Sequence, residues 1–408
     1  MKTKAVRLYG KGDLRLEELE LPNIKENEIL AKICTDSLCM SSYKAAMAGE
    51  DHKRVPNDIR ENPIIIGHEF CGEIIKIGEK WLDKYKNVKK FVIQPALNYK
   101  GSLDAPGYSY RYIGGDATYV IIPNEVMEMD CLIPYNGEAF YKGSLAEPLS
   151  CVIGAFNASY HVKQGTYEHI MGTKKDGNML FVGGCGAMGS VAVDYLLNAY
   201  ENKPKKLVIF DLDDKKIEFS KKLFENCNKD VELVYINDPA LVKKESSFGY
   251  DDIFVFAPNE ELVEFADSLL NKDGCLNFFA GPEKTDFSSK INFYNVHYGF
   301  THFVATSGGN SDDMRRAVSL IENNILDLSY LVTHVGGLDS VVHTTLNLPR
   351  IGGIKKLIYT GLSMPLIKIS DLKDLSKSSE LYEGLYESCN KNNGFWCEEA
   401  EKYLLSRI

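Results

Sequence analysis

The sequence predicts an α/β protein in two parts, a small β-barrel followed by a doubly wound parallel sheet. Three observations carry this expectation. Residues 1–150 run as short β-like stretches separated by Gly, Pro and Asn turns. From about residue 178, near-continuous apolar strands alternate with helix-patterned intervals, the pattern of a parallel sheet covered on both faces. Finally, 408 residues exceed one ordinary core, so two domains are expected.

Taken in order, "MKTKAVRLYGKGDLRLEELEL" alternates like a strand hairpin and lacks the long apolar core of a signal peptide. "EILAKIC", "EIIKIG", "FVIQPA" and "TYVIIP" continue the β pattern. Within it, "NPIIIGHEFCGEIIKIG" breaks an apolar strand at Gly67, His68 and Glu69 and then resumes. Two polar, metal-competent side chains in such a run are costly unless something pairs with them. Further on, "NMLFVGG", "KLVIFD", "VELVYI", "DDIFVFAP", "CLNFFAG" and "THFVATS" form the parallel series. After "MRRAVSLIENNILDLSYLVTHV" no new αβ series begins, and the chain returns to the first domain through "IKKLIYTG". The last stretch reads as helical, and its Leu, Tyr and Trp residues suggest a packed extension. The expected division is 1–160, 161–318 and 319–408.

Composition narrows the classes of function. Hydrophobic residues at 44% and charged residues at 25% are ordinary for a globular protein. A net charge of −10 without a basic face argues against nucleic acid. No apolar run reaches the roughly eighteen residues of a spanning helix, so no membrane partner and a cytoplasmic location are expected. The ten cysteines include no CxxC pair, so buried thiols are expected rather than a four-cysteine zinc lobe or a thioredoxin-type site.

Gly184-x-Gly186-x-x-Gly189, with Ala187 and Met188 inside it, follows an apolar strand and opens a helix. Strand–turn–helix is the context the dinucleotide fingerprint requires, because the helix N-terminus offers free N–H groups to a pyrophosphate. The next strand ends in Asp211, about twenty residues beyond the third glycine. A carboxylate there accepts from ribose hydroxyls and repels a 2′-phosphate, and Asp213 and Asp214 deepen the repulsion. NAD(H) is favoured over NADP(H).

Cys39, His68, Glu69 and Glu147 are candidate metal ligands. Each also has an ordinary reading: a core thiol, a satisfied histidine, a carboxylate favoured by a helix dipole. Sequence spacing alone does not bring the four together.

The order of motifs does suggest a family. A cysteine with a serine two positions on is followed by GHE-x-x-G, "GGDATYVIIP", "AEPLS" and the glycine fingerprint. This resembles the zinc-containing medium-chain alcohol and polyol dehydrogenases over residues 1 to about 360. The resemblance implies a GroES-like β-barrel catalytic domain and a Rossmann domain. It also implies that Cys39, His68 and a carboxylate bind one catalytic zinc, with Glu147 matching the polyol branch. Glu69 either ligates directly or swings in and out during turnover. Ser41 is then placed to pass a proton, with Lys44 continuing the relay.

Three departures matter. Cys39-Met40-Ser41-Ser42 lacks the family's aspartate, Lys44 replaces a frequent histidine, and the usual cysteine lobe reads "QPALNYKGSLDAPGYSYRYIGG", so no structural zinc is expected. "SSYKAAMAGEDHKRVP" and "NYKGSLDAPGYSYRY" are similar to the sugar-phosphate reductase branch, which interconverts L-sorbose 1-phosphate and D-glucitol 6-phosphate. A phosphorylated substrate needs local cations, and Arg54 and Arg111 are the candidates, since a guanidinium binds phosphate bidentately. Members of the superfamily are dimers or tetramers, so a homo-oligomer is expected. Two other readings compete. One is a dehydrogenase of an unphosphorylated polyol or secondary alcohol. The other is a non-catalytic nucleotide-binding redox sensor, raised by Ser42 standing where the aspartate belongs.

Overall fold

The computed structural model describes residues 1–227 and 230–407. It forms two compact units, Met1–Glu147 with Asn310–Ile408, and Pro148–Gly309.

In the first unit, strand Lys2–Gly10 pairs antiparallel with Asp13–Glu20 on one side and Ile64–Ile65 on the other. A larger sheet is centred on Ile29–Leu38, which pairs with Phe70–Ile77, Tyr119–Ile122 and the returning strand Lys355–Tyr359. Ile29, Ala31 and Ile33 alternate inward while Leu30 and Lys32 face outward, the period-2 pattern of a half-buried strand. From Thr35 to Leu38 every residue is buried, so this strand delivers Cys39 into the interior. All five residues of Lys355–Tyr359 are buried, including two lysines.

In the second unit, six parallel strands run in the order Glu232–Ile236, Lys206–Phe210, Asn178–Val182, Tyr250–Val255, Leu270–Phe278 and His302–Val304. The order reverses between Asn178–Val182 and Tyr250–Val255, which is where open α/β sheets bind ligands. Leu180, Val182, Val208, Ile253, Val255 and Leu276 share its core. Among the described residues, no helix is long and apolar enough to cross a membrane.

The borders differ from the expected ones. Residue 160 opens strand Tyr160–Val162 inside the second unit. Residue 318 falls within helix Ser311–Glu322, which belongs to the first unit. That helix starts with an Asn310–Asp313 capping box and buries Met314, Ala317, Val318 and Ile321. Its Arg315 pairs with Asp130, and Glu322 accepts from the Asn136 N–H. A helical texture alone does not say which core its apolar stripe joins.

A buried histidine anchors the hairpin Tyr160–Val162/His169–Met171. Nδ1 of His161 faces the Asp273 carbonyl at 2.9 Å, and Nε2 faces both Asp252 oxygens at 3.3 Å. Both nitrogens face oxygens that can accept, an arrangement that favours the doubly protonated ring. Burial opposes that charge, but Asp252 and Asp273 outweigh it and raise the pKa above 6.5. A raised folded-state pKa contributes stability that is fully present below the unfolded value and is lost as pH climbs through the folded one. Thermal stability should therefore decline as pH rises from below 6.5 through the raised folded-state pKa, with a component that His161→Gln lacks. An identical pH slope in the variant would remove this pair from the account.

Candidate active site

Strands Ile64–Ile65 and Phe70–Ile77 lie in different sheets, so the chain must cross between them at residues 66–69. Gly67 makes the crossing at φ +92°, and a Cβ there would meet the Asp116 nitrogen at 2.7 Å and Asp36 Oδ2 at 2.9 Å. Only glycine fits both the conformation and the space. The Glu69 N–H then donates to Asp36 Oδ1 (3.1 Å), and the Ser37 N–H donates to the Glu69 carbonyl (3.0 Å). Cys39, at the end of the central strand, caps helix Met40–Ala48.

This backbone gathers three ligand-type side chains. Cys39 Sγ, a ring nitrogen of His68 and a carboxylate oxygen of Glu69 all lie within 4.8 Å of one another. A thiol, an imidazole and a carboxylate suit zinc. Burial pushes the Cys39 thiol up to about 12, with Glu69 adding to the effect, and pulls His68 down to about 4. A bound cation is what would make that thiol a thiolate. Ser42 Oγ lies 3.1 Å from His68 Nδ1. The residue standing in place of the family aspartate thus orients the imidazole through its other nitrogen, as an outer partner of a metal ligand does.

Glu69 has a partner that sequence reasoning missed. Lys355 Nζ donates to its two oxygens at 2.6 and 2.5 Å, and both side chains are buried. Burial works against the lysine's charge, but Glu69 outweighs it and raises the pKa. The two residues are 286 positions apart. The available signal was a lysine pair inside the apolar strand "IKKLIY", because a strand lysine with no route to water needs a carboxylate.

Glu147, second in helix Ala146–Ala158, is buried. Its charge acts on Cys39 and Lys355, but it is outside the three-residue cluster. Ser41 is exposed, in the first turn of the helix that follows Cys39. Lys44 is half-buried on the same helix.

Tyr108 is the second residue missed. Its hydroxyl lies 3.1 Å from His68 Nε2, and its ring stacks on His52 with centroids 5.7 Å apart. The Arg54 guanidinium sits over that ring, 5.4 Å from the centroid, and its charge acts on His68. Arg111 is elsewhere: it is exposed and donates to Asn62 Oδ1 at 3.3 Å.

In the second unit, a Cβ on Gly189 would meet the Gly184 carbonyl at 2.2 Å, so the helix packs on the turn only with glycine there. Gly186, by contrast, faces open space, with the Gly183 oxygen nearest at 3.9 Å. Ala187 and Met188 open helix Ala187–Asn198, whose first turn holds no acidic residue. Asp211 follows strand Lys206–Phe210 and accepts from the Cys185 and Asp213 N–H groups, each at 3.1 Å.

The chain is 48% identical over 410 residues to L-sorbose 1-phosphate reductase of Klebsiella pneumoniae, covering 99% of this chain and 97% of that one. It is 42% identical over 413 residues to mannitol-1-phosphate 5-dehydrogenase of Aliivibrio fischeri, with the same coverage. The chain belongs to their family, the zinc-dependent medium-chain dehydrogenases. This medium-chain dehydrogenase is an oxidoreductase of the alcohol and polyol type. No protein-family model matches it. Its fold matches 2R,3R-butanediol dehydrogenase of Bacillus subtilis with a TM-score of 0.69 at 19% identity, covering 88% of this chain and 99% of that one. The dehydrogenase fold is thus a GroES-like domain joined to a Rossmann domain.

Proposed function

We propose that this dehydrogenase reduces a ketose phosphate to a polyol phosphate, L-sorbose 1-phosphate to D-glucitol 6-phosphate, at the expense of NADH. The observation that carries this reading is the place of Arg54, whose guanidinium sits on Tyr108 beside the Cys39–His68–Glu69 cluster. The names of the two relatives above support it, since both act on phosphate esters of six-carbon sugars or polyols.

Cys39 and His68 would hold one zinc ion, with Glu69 or Glu147 as the carboxylate. Lys355, bonded to both Glu69 oxygens, favours Glu147. When bound, zinc supplies Lewis acidity to the substrate carbonyl and the nicotinamide supplies the hydride. The Ser41 hydroxyl, two positions beyond Cys39, delivers the proton to the C2 oxygen, and Lys44 resupplies it. Arg54 takes the phosphate by bidentate, charge-assisted hydrogen bonds. Asp211 takes the adenosine ribose, and Asp213 and Asp214 beside it disfavour a 2′-phosphate. The enzyme works in the cytoplasm as a homo-oligomer, a dimer or a tetramer.

The test is NADH oxidation with L-sorbose 1-phosphate and, separately, with free L-sorbose. Turnover should be confined to the phosphate ester. Arg54→Ala should raise its KM by about ten- to a hundredfold, the worth of hydrogen bonds to a charged group. Arg111→Ala should leave that KM unchanged. Equal turnover of the free ketose would move the assignment to a general polyol dehydrogenase, and an unmoved KM in Arg54→Ala would remove that residue from the substrate site.

A further inference from the structure

Beyond residue 360 the chain adds helices Leu372–Leu375, Glu380–Lys391 and Glu398–Leu405 to the first unit. One carboxylate in them is 2% exposed and makes three hydrogen bonds. Glu401 Oε1 accepts from the Phe140 N–H at 2.6 Å. Its Oε2 accepts from the Tyr141 N–H at 3.0 Å and from the Tyr359 hydroxyl at 2.8 Å. Phe140–Ser144 is a short helix whose N-cap, Ala139, has no side-chain acceptor. A helix start leaves N–H groups without partners inside the helix, and here a residue some 260 positions away supplies the acceptor. The fully buried Trp396 completes the arrangement by donating from Nε1 to the Tyr359 hydroxyl at 2.9 Å.

What these partners lead to gives the arrangement its meaning. Helix Phe140–Ser144 runs almost directly into Ala146–Ala158, whose second residue is Glu147. At its far end Ser144 Oγ lies 2.6 Å from Thr35 Oγ1 and donates to the Thr35 carbonyl at 3.2 Å. Thr35 is on the strand that ends beside Cys39, and it pairs in register with Tyr359. Tyr359 closes the strand that Lys355 opens. Glu401 therefore ties the segment that leads to Glu147 to the strand that carries Lys355, and Ser144 and Tyr359 in turn join these to the strand that leads to Cys39.

We propose that the C-terminal segment is a clamp built into the catalytic unit, with Glu401 as a positioning residue for the metal-binding constellation. The roles of Cys39, His68 and Glu147 come from the function proposed above, whereas the clamp itself rests on the distances alone. Glu401 touches none of the candidate ligands and acts through the segments that carry them; the roughly ten- to hundredfold loss seen when a direct partner of a ligand is removed sets the upper scale of the effect.

The test uses the full chain loaded with Co2+, whose thiolate absorption reports binding at Cys39 without any substrate. Co2+ affinity would be measured by chelator competition in wild type, Glu401→Ala, Glu401→Gln and Tyr359→Phe, together with kcat and the KM for NADH. Glu401→Ala should bind Co2+ about ten- to a hundredfold more weakly and lose kcat by a similar factor, with the KM for NADH unmoved. Glu401→Gln, which keeps one acceptor oxygen and the shape, should recover part of both losses. Wild-type Co2+ affinity and kcat in Glu401→Ala, with only Tm lowered, would reduce the clamp to an ordinary stabilising contact. Should Glu401→Ala not fold, unchanged Co2+ affinity and kcat in Tyr359→Phe overturn the proposal equally. Cobalt binding needs no sugar, so a wild-type protein inactive on the sugar phosphate still tests the clamp.

Discussion

Lys355→Met is expected to destabilise the protein by about 3–5 kcal/mol, the cost of removing one member of a buried ion pair. Both oxygens of Glu69 bond to Lys355, and Glu69 is 1% exposed. Methionine fills the space of the lysine stem but leaves a carboxylate in the interior with its cation gone. Glu69 can then escape only by taking a proton or by engaging a metal ion, and the first removes its charge from the site. The loss should appear as a lower urea midpoint at unchanged slope. Lys355→Met combined with Glu69→Gln should recover most of it, because the double change leaves no unpaired charge. A single-variant loss below about 1 kcal/mol would mean that water reaches the pair and screens it.

Cys39→Ser and His68→Gln should each abolish metal retention and lower kcat by about a thousandfold or more. The magnitude follows from the several kcal/mol that a Lewis acid contributes at a carbonyl, at 1.36 kcal/mol per decade of rate. Metal content by elemental analysis and NADH turnover are the measurements. NADH binding, followed by its fluorescence, should persist in both variants, because Gly184, Gly186, Gly189 and Asp211 lie in the other unit. Wild-type turnover in Cys39→Ser would take the metal out of the mechanism, and metal-free wild-type protein that binds NADH without turnover would restore the redox-sensor reading.

Much of the site was legible because its chemistry is written in contiguous residues. The strand–turn–helix around Gly184 announces itself through a run of buried residues, a tight turn and a helix start within twenty positions. The break at Gly67 is visible because two polar side chains interrupt an apolar run. Ser42 was legible as a departure from the family pattern, and it raised the redox-sensor alternative. In the fold the Ser42 hydroxyl lies 3.1 Å from His68 Nδ1, a contact that the aspartate's absence from the sequence did not announce.

Arg54 and Arg111 show where that kind of reading stops. Both are loop arginines put forward for their charge, and neither stretch says where its guanidinium ends up. In the fold, one lies on Tyr108, whose hydroxyl faces His68, and the other is held by Asn62. Tyr108, singled out only as part of an unusual insertion, reaches His68 because of how that insertion folds back.

The sequence by itself determined the two-part α/β architecture and the glycine-rich loop, and it offered Cys39, His68, Glu69 and Glu147 as ligand-type residues without bringing them together. Each follows from periodicity, turn chemistry and residue type over short spans. Only the tertiary structure decided that Lys355 neutralises Glu69, that Ser311–Glu322 joins the first unit, and that Glu401 caps a helix far back in the chain. Those outcomes depend on which strands become neighbours and in what register. That is settled by burial of the whole core and by the cost of leaving an interior charge or N–H group without a partner.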